Sequence, residues 1–242
     1  MGPGFAYTQF ARHDVPNYYD WAERFALCDN FFASVAGPSH PNHLFFIAGQ
    51  AGGAIDNPEN IQVRRLNDGR VFKSSGCDAY GDDVFVYTRE ADGSLSKHGP
   101  CFEFETVGHQ LSRRGIDWAS YSADPCQAGY IWQSYSAIRS IYEDEELWDE
   151  HIWPVDDLIR DIEADALPSV TWITPAVPTL GPSAVQHEAR AQLGHRRRQR
   201  HHAIVDVGAD GDLHHVGRVG WPVTTSLHRG STTSTSGSGC RC

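Results

Sequence analysis

The stretch FALCDNFFASVAGPSHPNHLFFIAG, residues 25–49, decides how the rest of the chain is read. It sets Ser39 between Gly37-Pro38 and His40-Pro41, just ahead of the apolar run at residues 44–47. Prolines are tolerated in a first helical turn because amides there have no intrahelical acceptor. A serine at the same place is a natural N-cap. SHPNHLFFIAGQ therefore reads as a helix that starts at the serine and stops at the glycine-rich GQAGG turn. Free N–H groups and the positive end of the helix dipole then face the hydroxyl and favour an anion beside it. Spacing alone favours a capping serine over a nucleophile.

Working outward, VPNYYDWAERFAL places Tyr18, Trp21, Phe25 and Leu27 at roughly helical spacing, with Pro16 near the start. FFASVAG is a short apolar strand or turn. VFVYTREADGSL reads as a strand running into an Asp92-Gly93 turn. TVGHQLSRRG is a helix with Gly115 in the C-terminal capping position, and IDWASYS is the next strand. AIRSIYEDEELWDE is helical with an acidic, solvated face. VDDLIRDIEADA is an amphipathic helix with Val155, Leu158, Ile159 and Ile162 on one face, followed by the buried strand SVTWIT. Helices alternating with strands predict an α/β domain with a largely parallel sheet covered by helices.

A length of 242 residues permits one sizeable domain or two small ones. An apolar content of 40% with 11% aromatics suits a soluble globular protein. No apolar run is long enough to span a bilayer, and no basic start followed by an apolar run marks a signal peptide. A net charge of −11 argues against a nucleic-acid-binding body. The six cysteines include no CxxC pair and lack zinc-site spacing; Cys77, Cys101 and Cys126 sit in polar loops and can pair or stay free.

The charge is uneven. Residues 1–175 hold 27 acids against 12 Lys and Arg, whereas residues 176–242 hold 4 against 8. The second part also holds seven of the 13 histidines and a single aromatic residue, Trp221, and it ends in the linker-like GSTTSTSGSGCRC. The expected organisation is therefore a partial α/β domain over 1–175 and a disordered tail over 176–242, with too little apolar surface to offset its ordering entropy. Such a tail leaves an edge of the sheet unpaired. Read literally, HRRRQRHH suits nucleic acid or anionic lipid, and His201, His202, His214 and His215 suit a metal ion. A non-catalytic protein with a basic binding tail is thus the alternative reading.

The run FALCDNFFASVAGPSHPN, with GIDWASYS, GYIWQSYSAI and LPSVTWITP, resembles the bacterial phosphoesterase family that contains the phospholipases C and a group of acid phosphatases. The family signature is CDNFFxSVxGP(T/S)xPNR; the resemblance covers nearly all of residues 5–175, and His43 stands where arginine is usual. It implies an alkaline-phosphatase-like fold, incomplete here, and hydrolysis of a phosphoric ester, either a phospholipid or a phosphomonoester. By this resemblance Ser39 is the nucleophile that forms a covalent phospho-enzyme intermediate, and Asn42 and His43 contact phosphoryl oxygens. A divalent metal ion would lower the serine pKa and neutralise the phosphoryl group. The family draws its metal ligands from an EN(R/H)SFD motif and from a (D/W)D(D/E)WGG…DHVxPP region. Neither appears in the chain as written, so no metal ligand is assignable and impaired turnover is expected. Family members are often exported, but this sequence itself specifies no compartment.

The tail has a second reading. With synonymous codons chosen freely for residues 180–222, a shift of one nucleotide permits a peptide containing SDHPP, the strand-like TAIFIT and WDEWGG in that order. A third frame over residues 223–229 permits DHVAPP. Two Lys against 18 Arg points to a GC-rich gene, in which out-of-frame reading yields Arg, Gly, Ala and His. The tail is therefore expected to be an out-of-frame translation. Sequencing the coding DNA checks this: codons compatible with those motifs are the expected result, and AT-ending codons that forbid them would end the idea.

Overall fold

The computed structural model describes residues 11–174, apart from 15, 29, 31 and 128, together with the backbone of 203–207 and 213–215. In chain order the elements are α1 (Pro16–Arg24), α2 (Ser39–Ala48), β1 (Arg64–Arg65), β2 (Val71–Phe72), β3 (Val86–Arg89), β4 (Leu95–His98) and α3 (Val107–Arg113). They continue with β5 (Trp118–Ser122), α4 (Arg139–Tyr142), α5 (Glu145–His151), β6 (Ile152–Pro154), α6 (Leu158–Glu163), β7 (Val170–Ile173), β8 (Ala203–Val207) and β9 (Leu213–His215). Two antiparallel pairs, β1–β2 and β3–β4, lie outside the main sheet, whose order is β6-β5-β7-β8-β9. Strands β6, β5, β7 and β8 run parallel, and β9 is antiparallel to β8.

Strand β5 is buried at all five positions, as a central parallel strand covered on both faces must be. Successive side chains point to opposite faces, so β5 and β7 feed two cores at once. Trp118 and Trp172 go to one side, where they meet Leu44 and Ile47 of α2, Tyr135, Ile138 and Ile141. Ala119, Tyr121 and Ile173 go to the other, against Val155, Leu158 and Ile162. Each such side chain contributes about 1.5–3 kcal/mol on full burial. The ring polar atoms of Trp118 and Tyr121 are satisfied, whereas the buried Tyr135 hydroxyl has no hydrogen-bond partner among the described residues. Trp118 Nε1 donates to Ser112 Oγ at 2.8 Å, and the Trp118 ring stacks on His151 with centroids 4.0 Å apart. The Tyr121 hydroxyl donates to buried Asp161 at 2.7 Å.

The excursion between α2 and β5 is stapled by a disulfide between Cys77 and Cys101, 24 residues apart in sequence. Closing a loop of that size stabilises the fold by about 3 kcal/mol through the unfolded chain's lost freedom. Two of the three cysteines that the sequence left open thus pair.

Several expectations need correction. Of the two readings left open for FFASVAG, strand or turn, the strand is the one to drop: its described residues form bends, and the Asn42 side chain, rather than a ladder, holds this loop. AIRSIYEDEELWDE is two short helices, not one: Asp144 caps α5 by accepting from Leu147 N–H, which restarts the helix. Its face is not wholly solvated, since Ile141 is buried and Leu147 and Trp148 pack on the core. The edge of β7 is not left unpaired by a wholly disordered tail. The backbone of β8 lies parallel to β7 and that of β9 antiparallel to β8. AIVDV is rich in β-branched residues, and the free edge of β7 offers it a ladder. The Arg196–Arg198 run, His201, His202 and Trp221 lie outside the described residues.

Candidate active site

Helix α2 begins at Ser39, as the sequence predicts, and ends at Gly49, whose φ of 64° is the left-handed conformation that glycine adopts freely. Ser39, however, does not cap it. Pro38 occupies the N-cap position, and no side chain from that position makes a capping bond. Ser39 is the first residue inside the helix, half-buried, and its hydroxyl has no hydrogen-bond partner among the described residues.

The helix mouth is sparing with donors. Pro38 and Pro41 have no N–H to offer. The His40 N–H is taken by the side-chain oxygen of Asn57 at 3.0 Å, so Asn57 caps the helix from 17 residues away. That leaves the Ser39 N–H beside the Ser39 hydroxyl. The expectation of several free amides thus contracts to one, because the two prolines and one asparagine account for the others.

Asn42 is where the structure departs most from the reading of the motif as a set of substrate contacts. Its Oδ1 accepts from Val35 N–H at 3.0 Å. Its Nδ2 donates to the carbonyls of Val35 at 3.1 Å, Gly37 at 3.3 Å and Pro38 at 3.0 Å. The amide is therefore committed to the loop that delivers Ser39. The loop also needs Gly37 without a side chain, since a Cβ there would sit 2.7 Å from the Ile55 carbonyl oxygen.

Ser39, His40 and His43 open into a cavity of about 370 Å³, whose wall also carries Asn57, Lys73 and Gln133. No acidic residue is among its described lining residues. Gln133 is fixed by donating to Ser122 Oγ at 2.8 Å and Ser120 Oγ at 3.2 Å, which ties the cavity wall to β5. His43 is buried at 4% exposure. Among the described residues His40 Nε2 is buried with no hydrogen-bond partner, and burial first, then the coulombic effect of neighbouring His43, lowers the His40 pKa to about 4. The imidazole is neutral at neutral pH. His109 and His151 differ, being spent on structure: His109 closes a capping box with Thr106, and His151 Nδ1 bonds the Trp118 carbonyl oxygen at 2.8 Å.

The sequence reading missed Lys73, Asn57 and Gln133. One signal was present: the chain has only two lysines. Lys97 lies over the Phe85 ring with its Nζ 3.9 Å from the centroid, whereas Lys73 has no ion-pair or ring partner among the described residues. The expected divalent ion does not fit what surrounds Ser39. Two imidazoles, neutral amides and an ammonium offer no carboxylate to a hard cation. Among the described residues, no group of three His, Cys, Asp or Glu is placed to hold a metal.

A helix-start serine thus opens into a cavity whose described lining carries a lysine and no carboxylate, surroundings that favour an anion over a cation. The sequence profile of the Phosphoesterase family matches residues 5–210, and the chain belongs to that family. The match runs past Pro175 into the tail. The chain is 24% identical over 189 residues to the hemolytic phospholipase C of Pseudomonas aeruginosa, covering 68% of this chain and 22% of that protein. It is 30% identical over 93 residues to phospholipase C B of Mycobacterium tuberculosis, covering 36% of this chain and 18% of that one. It is 32% identical over 60 residues to non-specific phospholipase C5 of Arabidopsis thaliana, covering 25% and 12%. The chain thus spans about a fifth or less of the length of these relatives.

Two measurements test this anatomy. Asn42→Ala should cost about 2–4 kcal/mol in urea denaturation, since it strips the loop of several partly buried hydrogen bonds. Unchanged stability would mean that Asn42 is not the clasp. The second test uses pH. The folded His40 pKa, about 4, lies below the ordinary 6.5, so the unfolded chain binds the extra proton between those values. The stability from neutral His40 is complete above pH 6.5, is lost as pH falls through the window, and levels off below about 4. The stability of the wild type relative to His40→Gln should fall by about 3 kcal/mol between pH 6.5 and 4. A pH-independent difference would refute the assignment.

Proposed function

We propose that this site hydrolyses phosphoric esters, with phospholipids or small phosphate esters as substrates, on an alkaline-phosphatase-like fold. Ser39 Oγ attacks phosphorus, the bond to the leaving alcohol oxygen breaks, and that oxygen takes up a proton. Water then attacks the phosphoserine, releasing the phosphate and restoring the hydroxyl. The observation that carries the reading is the pairing of two groups unspent among the described residues, the Ser39 hydroxyl and the Ser39 N–H, at the positive end of α2 in a cavity whose described lining has no acid. Phospholipase C in the names of the matched relatives supports the substrate class.

Turnover by this chain is impaired. A serine hydroxyl is a poor nucleophile until something draws off its proton. Ser39 has no hydrogen-bonded base among the described residues, and an imidazole with a pKa near 4 is a weak one. The described residues lining the cavity offer a divalent ion no carboxylate, which leaves Ser39, water and the wall's own donors as the groups available to both steps.

The experiment is an acid quench after incubation with p-nitrophenyl phosphate or a phosphocholine ester, followed by peptide mass spectrometry. A slow adduct on Ser39 that disappears in Ser39→Ala is expected. Equal hydrolysis by Ser39→Ala, or an adduct on another residue, would overturn the nucleophile assignment. Rapid multiple turnover would overturn the impairment alone.

A further inference from the structure

We propose that Lys73 is the phosphate anchor of the Ser39 cavity, its ammonium holding the phosphoryl oxygens while Ser39 faces phosphorus. The inference deepens the phosphoric-ester reading and rests on it for the identity of the anion.

Three observations converge. The first is the donor economy at the mouth of α2. With Pro38 and Pro41 lacking N–H groups and the His40 N–H committed to Asn57, the backbone supplies one donor where a phosphoryl group has three acceptor oxygens. The second is His40 Nε2, a buried nitrogen on the cavity wall with no hydrogen-bond partner among the described residues. Buried polar atoms are nearly always paired, so this nitrogen is left for something that enters the cavity. The third is charge. Lys73 lines the same cavity, has no carboxylate to neutralise it among the described residues, and shares the wall with no acid. A cavity with one uncompensated cation and several donors is matched to an anion that bears both charge and acceptors.

The backbone under Lys73 is rigid enough for the task. Phe72, the last residue of β2 and the neighbour of Lys73, is anchored in a small core with Ala123 and Tyr130. Ser75 Oγ then bonds the Ile131 carbonyl oxygen at 2.9 Å, Cys77 N–H bonds the Ser136 carbonyl oxygen at 2.7 Å, and Cys77 is covalently tied to Cys101. Lys73 itself is exposed, so its replacement does not threaten the fold.

The test is isothermal titration of the full chain with inorganic phosphate, near neutral pH and at fixed ionic strength. Lys73→Gln should weaken the dissociation constant about tenfold or more, the scale of one charge-assisted hydrogen bond. Lys73→Arg should stay within about threefold of wild type, because the charge is kept. Lys97→Gln should bind like wild type. The proposal is overturned if the wild type binds no phosphate, if Lys73→Gln binds as well as wild type, if Lys73→Arg falls to the glutamine level, or if Lys97→Gln loses as much as Lys73→Gln. The two readings fail separately. Phosphoserine on Ser39 with an affinity indifferent to Lys73 would end the anchor and keep the nucleophile. Lys73-dependent binding with no adduct on Ser39 would do the reverse.

Discussion

The clasp of Asn42 on the loop before its own helix is the constraint from which the site follows. One side-chain amide takes an N–H and three carbonyls of residues 35–38. That loop contains two residues that cannot satisfy each other in a ladder, a glycine pressed on the Ile55 carbonyl and a proline without an N–H. The loop's own backbone adds one bond, Gly37 N–H to the Val35 carbonyl oxygen at 2.9 Å, so the clasp supplies most of the bonds that fix its shape. With it, Ser39 is delivered to the first position of a helix whose far face, Leu44 and Ile47, is locked into the tryptophan-lined core. The serine is thereby coupled to the sheet through packing, and the opposite wall is coupled to the same sheet through Gln133 and the β5 serines.

The dipole at a helix start is often credited with anion affinity by itself. Here the chemistry of the first turn limits it. Two prolines remove donors and Asn57 spends another, so field and hydrogen bonding are separated. The field remains, but a ligand would find one amide. Side chains must make up the difference, and the wall is composed accordingly: amides, hydroxyls, a neutral buried imidazole and one cation, with no competing carboxylate among the described residues.

Much of the fold was legible because it rests on local pattern. The periodicity of the Pro16, Ser39, Val107 and Leu158 segments, and the glycines closing two of them, announce helices directly. The strands WASYS and VTWI are short and largely buried, which is the mark of a parallel sheet's centre. What could not be read is non-local. That Asp144 restarts a helix inside an apparently continuous pattern is a competition between a cap and a propensity. The pairing of Cys77 with Cys101 depends on a three-dimensional approach that spacing does not encode. Strand β8 escaped notice because composition judged the tail as a whole, while a short run rich in β-branched residues suffices to meet a waiting edge. At the site, Ser39 was visible within its motif. Lys73, Asn57 and Gln133 were not, because they come from three separate loops that only the fold brings together. Asn42 was visible too, but its bonds to the backbone of residues 35–38 were not, since a motif marks that a residue matters and not whether it serves the ligand or the backbone.

The sulfur–sulfur link that braces the Lys73 loop ties the finish of this site to its chemical surroundings. Such links persist under oxidising conditions and are rare where glutathione keeps thiols reduced. A nascent chain in a reducing milieu would present the same residues on a slacker loop. The cavity wall would then be completed by an oxidant, not by folding alone, and maturation of the site becomes an electron-transfer event as much as a conformational one.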